Sequence, residues 1–120
     1  GDNELLDRTR EQLREYFAGE RRAFDVPLDF RGTPFQVEVW ERLLKIGYGE
    51  TLSYAQMARD LGRPEAQRAV GKANGDNRIA ILVPCHRVVK ADGSLCGYGG
   101  GLWRKRRLLE LEQGQGGLGV

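Results

Sequence analysis

Apolar positions along this chain follow a helical rhythm that is interrupted and resumed. From Asn3 to Gly19, residues Leu5, Leu6, Leu13, Tyr16 and Phe17 fall near one face of a helical period, and Gly19 supplies a stop. Arg21 to Gly32 lacks that period and contains Pro27, which predicts an extended connector. The rhythm returns with Phe35, Val39, Trp40, Leu43 and Leu44 as a core face. Thr33 can cap this helix, Pro34 suits its first position, Gln36 completes a capping box, and the helix ends before Gly47. Ser53 and Gln56 repeat the same grammar, with Gly62 closing a short helix. Another helix is predicted from Pro64, fading toward Gly75. The pair joined at Gly62 and Arg63 has the layout of a helix-turn-helix, although two packed helices of a small bundle share its spacing.

Ile79 to Val83 is an unbroken apolar run, read as a short buried strand or extended segment. Asp92-Gly93 is a hairpin-type turn, and Gly97 to Gly101 is a loop that another group can approach closely. A last helix follows, with Leu102, Trp103, Leu108, Leu109 and Leu111 mostly inward. The domain reading is a helix over residues 1–19, a connector over 20–34, the main domain over 35–113 and a flexible tail over 114–120.

Composition narrows the class without choosing a function. A chain of 120 residues, 40% apolar and 30% charged, reads as one soluble domain. Its net charge of +2 is too small to announce a nucleic-acid partner. No apolar run is long enough to cross a bilayer, so no membrane partner is expected. The charged opening GDNELLDRTR is not read as a signal peptide. Two cysteines are not a disulfide framework and favour a reducing, cytoplasmic setting. With one histidine they also fall short of a closed zinc site unless carboxylates help, so no metal is expected. No cofactor is expected either.

The candidate chemistry sits in Val83-Pro84-Cys85-His86-Arg87, which holds the only histidine beside a thiol. A buried cysteine is ordinarily an inert small hydrophobe. Here Pro84 breaks the chain, a glycine-rich loop follows, and His86, Arg87 and Arg78 can make the site electropositive, which favours thiolate in a partly open setting. Cys96 has no such company and reads as structural. Adjacent side chains on a strand point to opposite faces, so Cys85 and His86 cooperate only if the chain turns or a water intervenes. His86 would also need an orienting acid, and spacing leaves Glu110 and Glu112 both open.

PCHRVV, preceded by NGDNRIAILV and followed by GSLCGYGGGLWRKRRLLELE, resembles the C-terminal domain of O6-alkylguanine-DNA alkyltransferases. The likeness runs from about Leu13 to Glu112. It implies a mainly α fold with a small β element near Cys85, a winged-helix-like helix-turn-helix DNA-binding domain. It implies DNA repair by irreversible, stoichiometric transfer of an alkyl group from O6 of guanine to Cys85. By the same resemblance His86 activates Cys85 through a water, Glu112 orients His86, and Tyr54 protonates the base. Asn77 ties the turn beside the helix-turn-helix to the active segment, and Tyr98 lines the base pocket. Gly99 stands where some members have serine, leaving a backbone N–H for the base oxygen.

The implied partner is double-stranded DNA with the alkylated base flipped out. Arg68 matches the arginine that fills the vacated stack. Ala66, Ala69, Val70, Gly71 and Ala73 make the second helix small-sided, fit for a minor groove. Arg63, Arg68, Lys72 and Arg87 are candidate phosphate contacts. A monomer is expected, in the cytoplasm at the nucleoid if bacterial or in the nucleus if eukaryotic. Family members usually carry a further N-terminal α/β domain, and any zinc site lies there. Ala80 replaces a proline of some members. The alternative is an alkyltransferase-like module that binds the lesion without transferring the group, but such proteins lack the acceptor cysteine. A Cys-His hydrolase is a poor third, since nothing specifies an oxyanion hole.

Overall fold

The computed structural model describes residues 2–92 and 101–114, the side chains of residues 2 and 3 aside. Five helices are present among them: α1 (Asp2–Phe17), α2 (Pro34–Leu43), α3 (Tyr54–Asp60), α4 (Gln67–Gly75) and α5 (Leu102–Gln113). Strands β1 (Leu52–Ser53) and β2 (Val88–Val89) pair in parallel, Leu52 with Val88 and Ser53 with Val89. The fold is thus mainly α with a small β element, and α3 and α4 form the helix-turn-helix. No described helix is long and apolar enough to cross a membrane.

The two capping boxes form as local chemistry dictates. Thr33 Oγ1 accepts the Gln36 N–H at 3.1 Å while Gln36 Oε1 accepts the Thr33 N–H at 2.9 Å. Ser53 and Gln56 reproduce the exchange at 3.0 Å in both directions. Gly62 ends α3 at φ +75°, and the Arg63 N–H reaches back to the Ala58 carbonyl at 2.9 Å, closing the helix end. The helix predicted from Pro64 begins instead at Gln67. Residues Arg63 to Ala66 first make a turn, with the Ala66 N–H on the Arg63 carbonyl, and Ala66 offers no side-chain cap.

Val39, Leu43, Met57, Ala58, Val70, Val83 and Val88 form the fully buried centre between α2, the helix-turn-helix and the β pair. Each large side chain there contributes about 1.5–3 kcal/mol by leaving water. Polar clamps fix α2 across the end of α4: Trp40 Nε1 donates to the Ala73 carbonyl at 2.9 Å, and Gln36 Nε2 to Asp76 Oδ2 at 3.0 Å.

Several apolar faces differ from their predicted burial. Leu44 is the C-cap of α2 and is exposed, because it lies past the packed face. On α1, Leu5, Leu6 and Phe17 are exposed, and the helix meets the molecule through Gln12 and Tyr16, one turn apart. Ile79–Val83 is not a strand. It closes into a turn in which the Val83 N–H bonds the Ile79 carbonyl at 2.9 Å, with Ile81 at φ +76° and only Val83 buried. On α5 the buried stripe is Lys105, Leu108, Leu109 and Glu112, so Leu102 and Trp103 face outward, Trp103 beneath the Arg104 guanidinium. Gly93, Cys96, the loop from Gly97 to Gly100 and the tail at 115–120 lie outside the described residues.

Candidate active site

Pro84 cannot continue a ladder, and the chain turns at once into a 3-10 turn over Cys85–Arg87. The thiol and the imidazole both lie on that turn. Two amides hold it: Asn74 Nδ2 donates to the Cys85 carbonyl at 3.2 Å, and Asn77 Nδ2 to the Val83 carbonyl at 2.9 Å. Asn77 Oδ1 also accepts the Ile79 N–H, so this residue joins the end of α4 to the segment that bears Cys85. Downstream, β2 anchors the turn to β1, which leads directly into Tyr54.

Cys85 is only 4% exposed, not partly open as its neighbours suggested. Burial pushes the thiol's pKa up, opposed by a hydrogen bond with Asn77 and the charge of Lys105. The cation nearest in effect is therefore Lys105 of α5, not Arg78 or Arg87. Arg78 is exposed, and Arg87 turns away to Glu112.

Of the two candidate acids, Glu112 meets His86 with Oε2 at 2.7 Å from Nε2; Glu110 stays half-exposed on the other side. Burial alone would raise the Glu112 pKa. The hydrogen bonds from His86, Arg87 and Tyr16 outweigh it and hold the carboxyl at about 2. An ionised carboxylate only accepts, which assigns the His86 proton to Nε2. Burial pushes the His86 pKa down, so the ring is neutral and Nδ1 is a free lone pair. That Nδ1 is buried with no hydrogen-bond partner among the described residues.

Arg87 is 7% exposed and donates to both Glu112 oxygens and, at 2.6 Å, to the Ile46 carbonyl. A phosphate contact from Arg87 is thereby excluded, because its guanidinium is spent inside the protein. Tyr54, at the first position of α3, is buried with its hydroxyl 3.5 Å from Lys105 Nζ. Gly71 of α4 sits against its ring: a Cβ there would lie 3.9 Å from Tyr54 Cε1. An open cleft of about 540 Å³ runs past Tyr54, Arg68, Gly71, Lys90 and Asp92. Arg68 and Ala69 are exposed on α4, while Tyr98 and Gly99 lie outside the described residues.

The family described as "6-O-methylguanine DNA methyltransferase, DNA binding domain" matches residues 34–114. The chain belongs to this family. The ribonuclease-like domain of 6-O-methylguanine DNA methyltransferases matches residues 1–30. A methylated-DNA–protein-cysteine methyltransferase of Mycobacterium tuberculosis is 63% identical over 103 residues, 86% of this chain and 62% of that relative. The constitutive one of Bacillus subtilis is 50% identical over 90% of this chain and 66% of its own length. The chain thus spans less than two thirds of the length of these relatives. Among solved structures, Mycobacterium tuberculosis OGT in complex with DNA matches with a TM-score of 0.89 and 60% identity, over 91% of this chain and 68% of that one. S. pombe Atl1, in complex with damaged DNA containing O6-carboxymethylguanine, matches with a TM-score of 0.60 and 30% identity, over 69% and 79%.

Sequence reasoning missed three members of the cluster around Cys85 and His86. Lys105 shares the i, i+3, i+4, i+7 stripe of Leu108, Leu109 and Glu112, and a lysine in such a stripe is the signal available beforehand. Tyr16 falls near the apolar face of its helix in the sequence, and nothing there signals that its hydroxyl reaches Glu112 at 2.6 Å. Asn74, between two small residues, gave no signal at all.

Proposed function

We propose that this chain repairs DNA by moving an alkyl group from O6 of guanine to Sγ of Cys85, once per molecule. The observation that carries the reading is the set Cys85, His86 and Glu112. A thiol sits in a turn beside a neutral imidazole whose Nε2 is held by an ionised acid, leaving Nδ1 as a proton acceptor.

In this reading the thiol proton passes to His86 Nδ1 through a water, and the sulfur attacks the alkyl carbon. The S–C bond forms as the C–O6 bond breaks, so the electron pair leaves with the guanine. Tyr54 supplies a proton to N3 of the departing base, which lowers the barrier to its release. The imidazolium and the phenolate return to neutrality through solvent, with Lys105 beside the Tyr54 hydroxyl to ease the phenolate. The thioether is a poor leaving group and nothing restores the thiol.

The partner is duplex DNA met as a monomer through the helix-turn-helix. Exposed Arg68 and small-sided Ala69 and Gly71 suit α4 to a minor groove, with Arg68 filling the space of the flipped base. Tyr98 and Gly99 belong to the base pocket in this assignment, and Asn77 holds the acceptor turn. The test is intact mass of the protein after mixing with duplex O6-methylguanine DNA, beside a count of restored guanine. One methyl per protein on Cys85, with no metal or nucleotide added, is expected. A plateau well above one equivalent would mean turnover and refute transfer. Tight binding with unchanged DNA would make the chain a damage-recognition module.

A further inference from the structure

The Glu112 carboxylate gathers hydrogen bonds from four residues on three distant stretches of chain. Oε2 takes His86 Nε2 at 2.7 Å, Arg87 Nη2 at 2.9 Å and the Tyr16 hydroxyl at 2.6 Å. Oε1 takes Arg87 Nε at 2.8 Å and the Gly49 N–H at 3.3 Å. Tyr16 stands 96 positions from Glu112, on the helix matched by the ribonuclease-like domain, and is fully buried among Phe17, Phe24 and Tyr48. Burial and the Glu112 bond push its pKa well above the ordinary phenol value, so it is a donor at neutral pH.

We propose that Tyr16 is a positioning residue for the transfer reaction, sharing Glu112 Oε2 with His86 and so fixing the oxygen on which the imidazole is held. The inference rests on the transfer reading above. Its physical basis is competition. Each donor on Oε2 takes part of the charge that would otherwise fall on His86. Without the phenol, Glu112 would attract an imidazolium more strongly, and the carboxylate would lose one of the bonds that sets its rotamer. The charged and titratable groups facing His86 are Glu112 and Lys105 from α5, Arg87 and Cys85 on its own turn, and Tyr16 from α1 through Glu112. Arg87 and Lys105 oppose a proton on the ring and Glu112 favours it, so removing Tyr16 tips the balance toward protonation.

Tyr16→Phe tests this, and the chain's single histidine makes the readout unambiguous. The NMR titration of His86 should move to higher pH. The acid limb of alkyl transfer from free O6-benzylguanine, which needs no DNA binding, should move with it. Transfer at neutral pH should slow about tenfold, the size of one charge-assisted hydrogen bond, while still ending at one equivalent. A variant whose His86 titration and rate profile overlay those of an active parent overturns the inference. If the parent transfers nothing, the functional reading fails instead, and the His86 titration still tests the coupling. Should Tyr16→Phe not fold, the parent serves: a slowly exchanging Tyr16 hydroxyl proton with a cross-peak to His86 Hε2 supports the inference, and its absence overturns it.

Discussion

Cys85→Ser keeps the shape of the proposed acceptor and removes its ionisation. Mass spectrometry should find no alkyl adduct, while DNA binding and the melting temperature stay near those of the parent. An adduct on Cys96 of the parent would move the assignment elsewhere. Lys105→Met removes the buried cation that opposes the burial of the thiol. The thiolate's ultraviolet absorbance should then appear at higher pH than in the parent; an unchanged titration would show that Lys105 does not act on Cys85. The adjacency of Cys85 and His86 was legible in the sequence because it is covalent. The charged groups around them were not. Whether Lys105, Arg87 or Tyr16 faces inward depends on which carboxylate waits there, and Glu112 lies 25 positions from Arg87 and 96 from Tyr16.

At the scale of elements, local chemistry was readable and surfaces were not. The boxes at Thr33 and Ser53 close within four residues, so their sequence suffices. The faces of α1 and α5 are chosen by what packs on them, and Leu6 and Trp103 ended outward although their spacing suited a core. Ser53→Ala should cost about 1 kcal/mol in chemical denaturation, as should Thr33→Ala. Only the former should also slow transfer, because Ser53 sets the entry to Tyr54. Arg68→Ala on α4 should slow repair of duplex DNA far more than reaction with free O6-benzylguanine, which needs no extrusion. Equal losses on both substrates would remove the finger role.

For the whole molecule, the buried titratable groups set a pH range of stability. Glu112 falls from 4.5 to about 2 on folding, which is worth roughly 3 kcal/mol at neutral pH and is lost as pH drops through that interval. His86, depressed below 6.5 by burial, adds a loss beginning as pH falls below 6.5, where the unfolded chain takes up the proton first. Cys85, raised above 9.0 by burial, adds a loss as pH rises past 9.0, where the unfolded thiol ionises first. Urea melts should therefore show greatest stability between about pH 6.5 and 9. A maximum well below pH 6 would contradict this burial of His86.

The two-residue ladder of Leu52–Val88 and Ser53–Val89 acts as a spacer gauge between the two side chains proposed to react. On one rail the chain runs from β1 straight into Tyr54, and on the other the turn bearing Cys85 ends where β2 begins. One added residue on either rail would displace Tyr54 or Cys85 by about 3.3 Å relative to the other and reverse the facing of its neighbours. The stretches Leu52–Tyr54 and Cys85–Val89 should thus accept many exchanges of side chain but no insertion or deletion. Elsewhere, as in the exposed Arg63–Glu65 turn, a change of length should be far better tolerated.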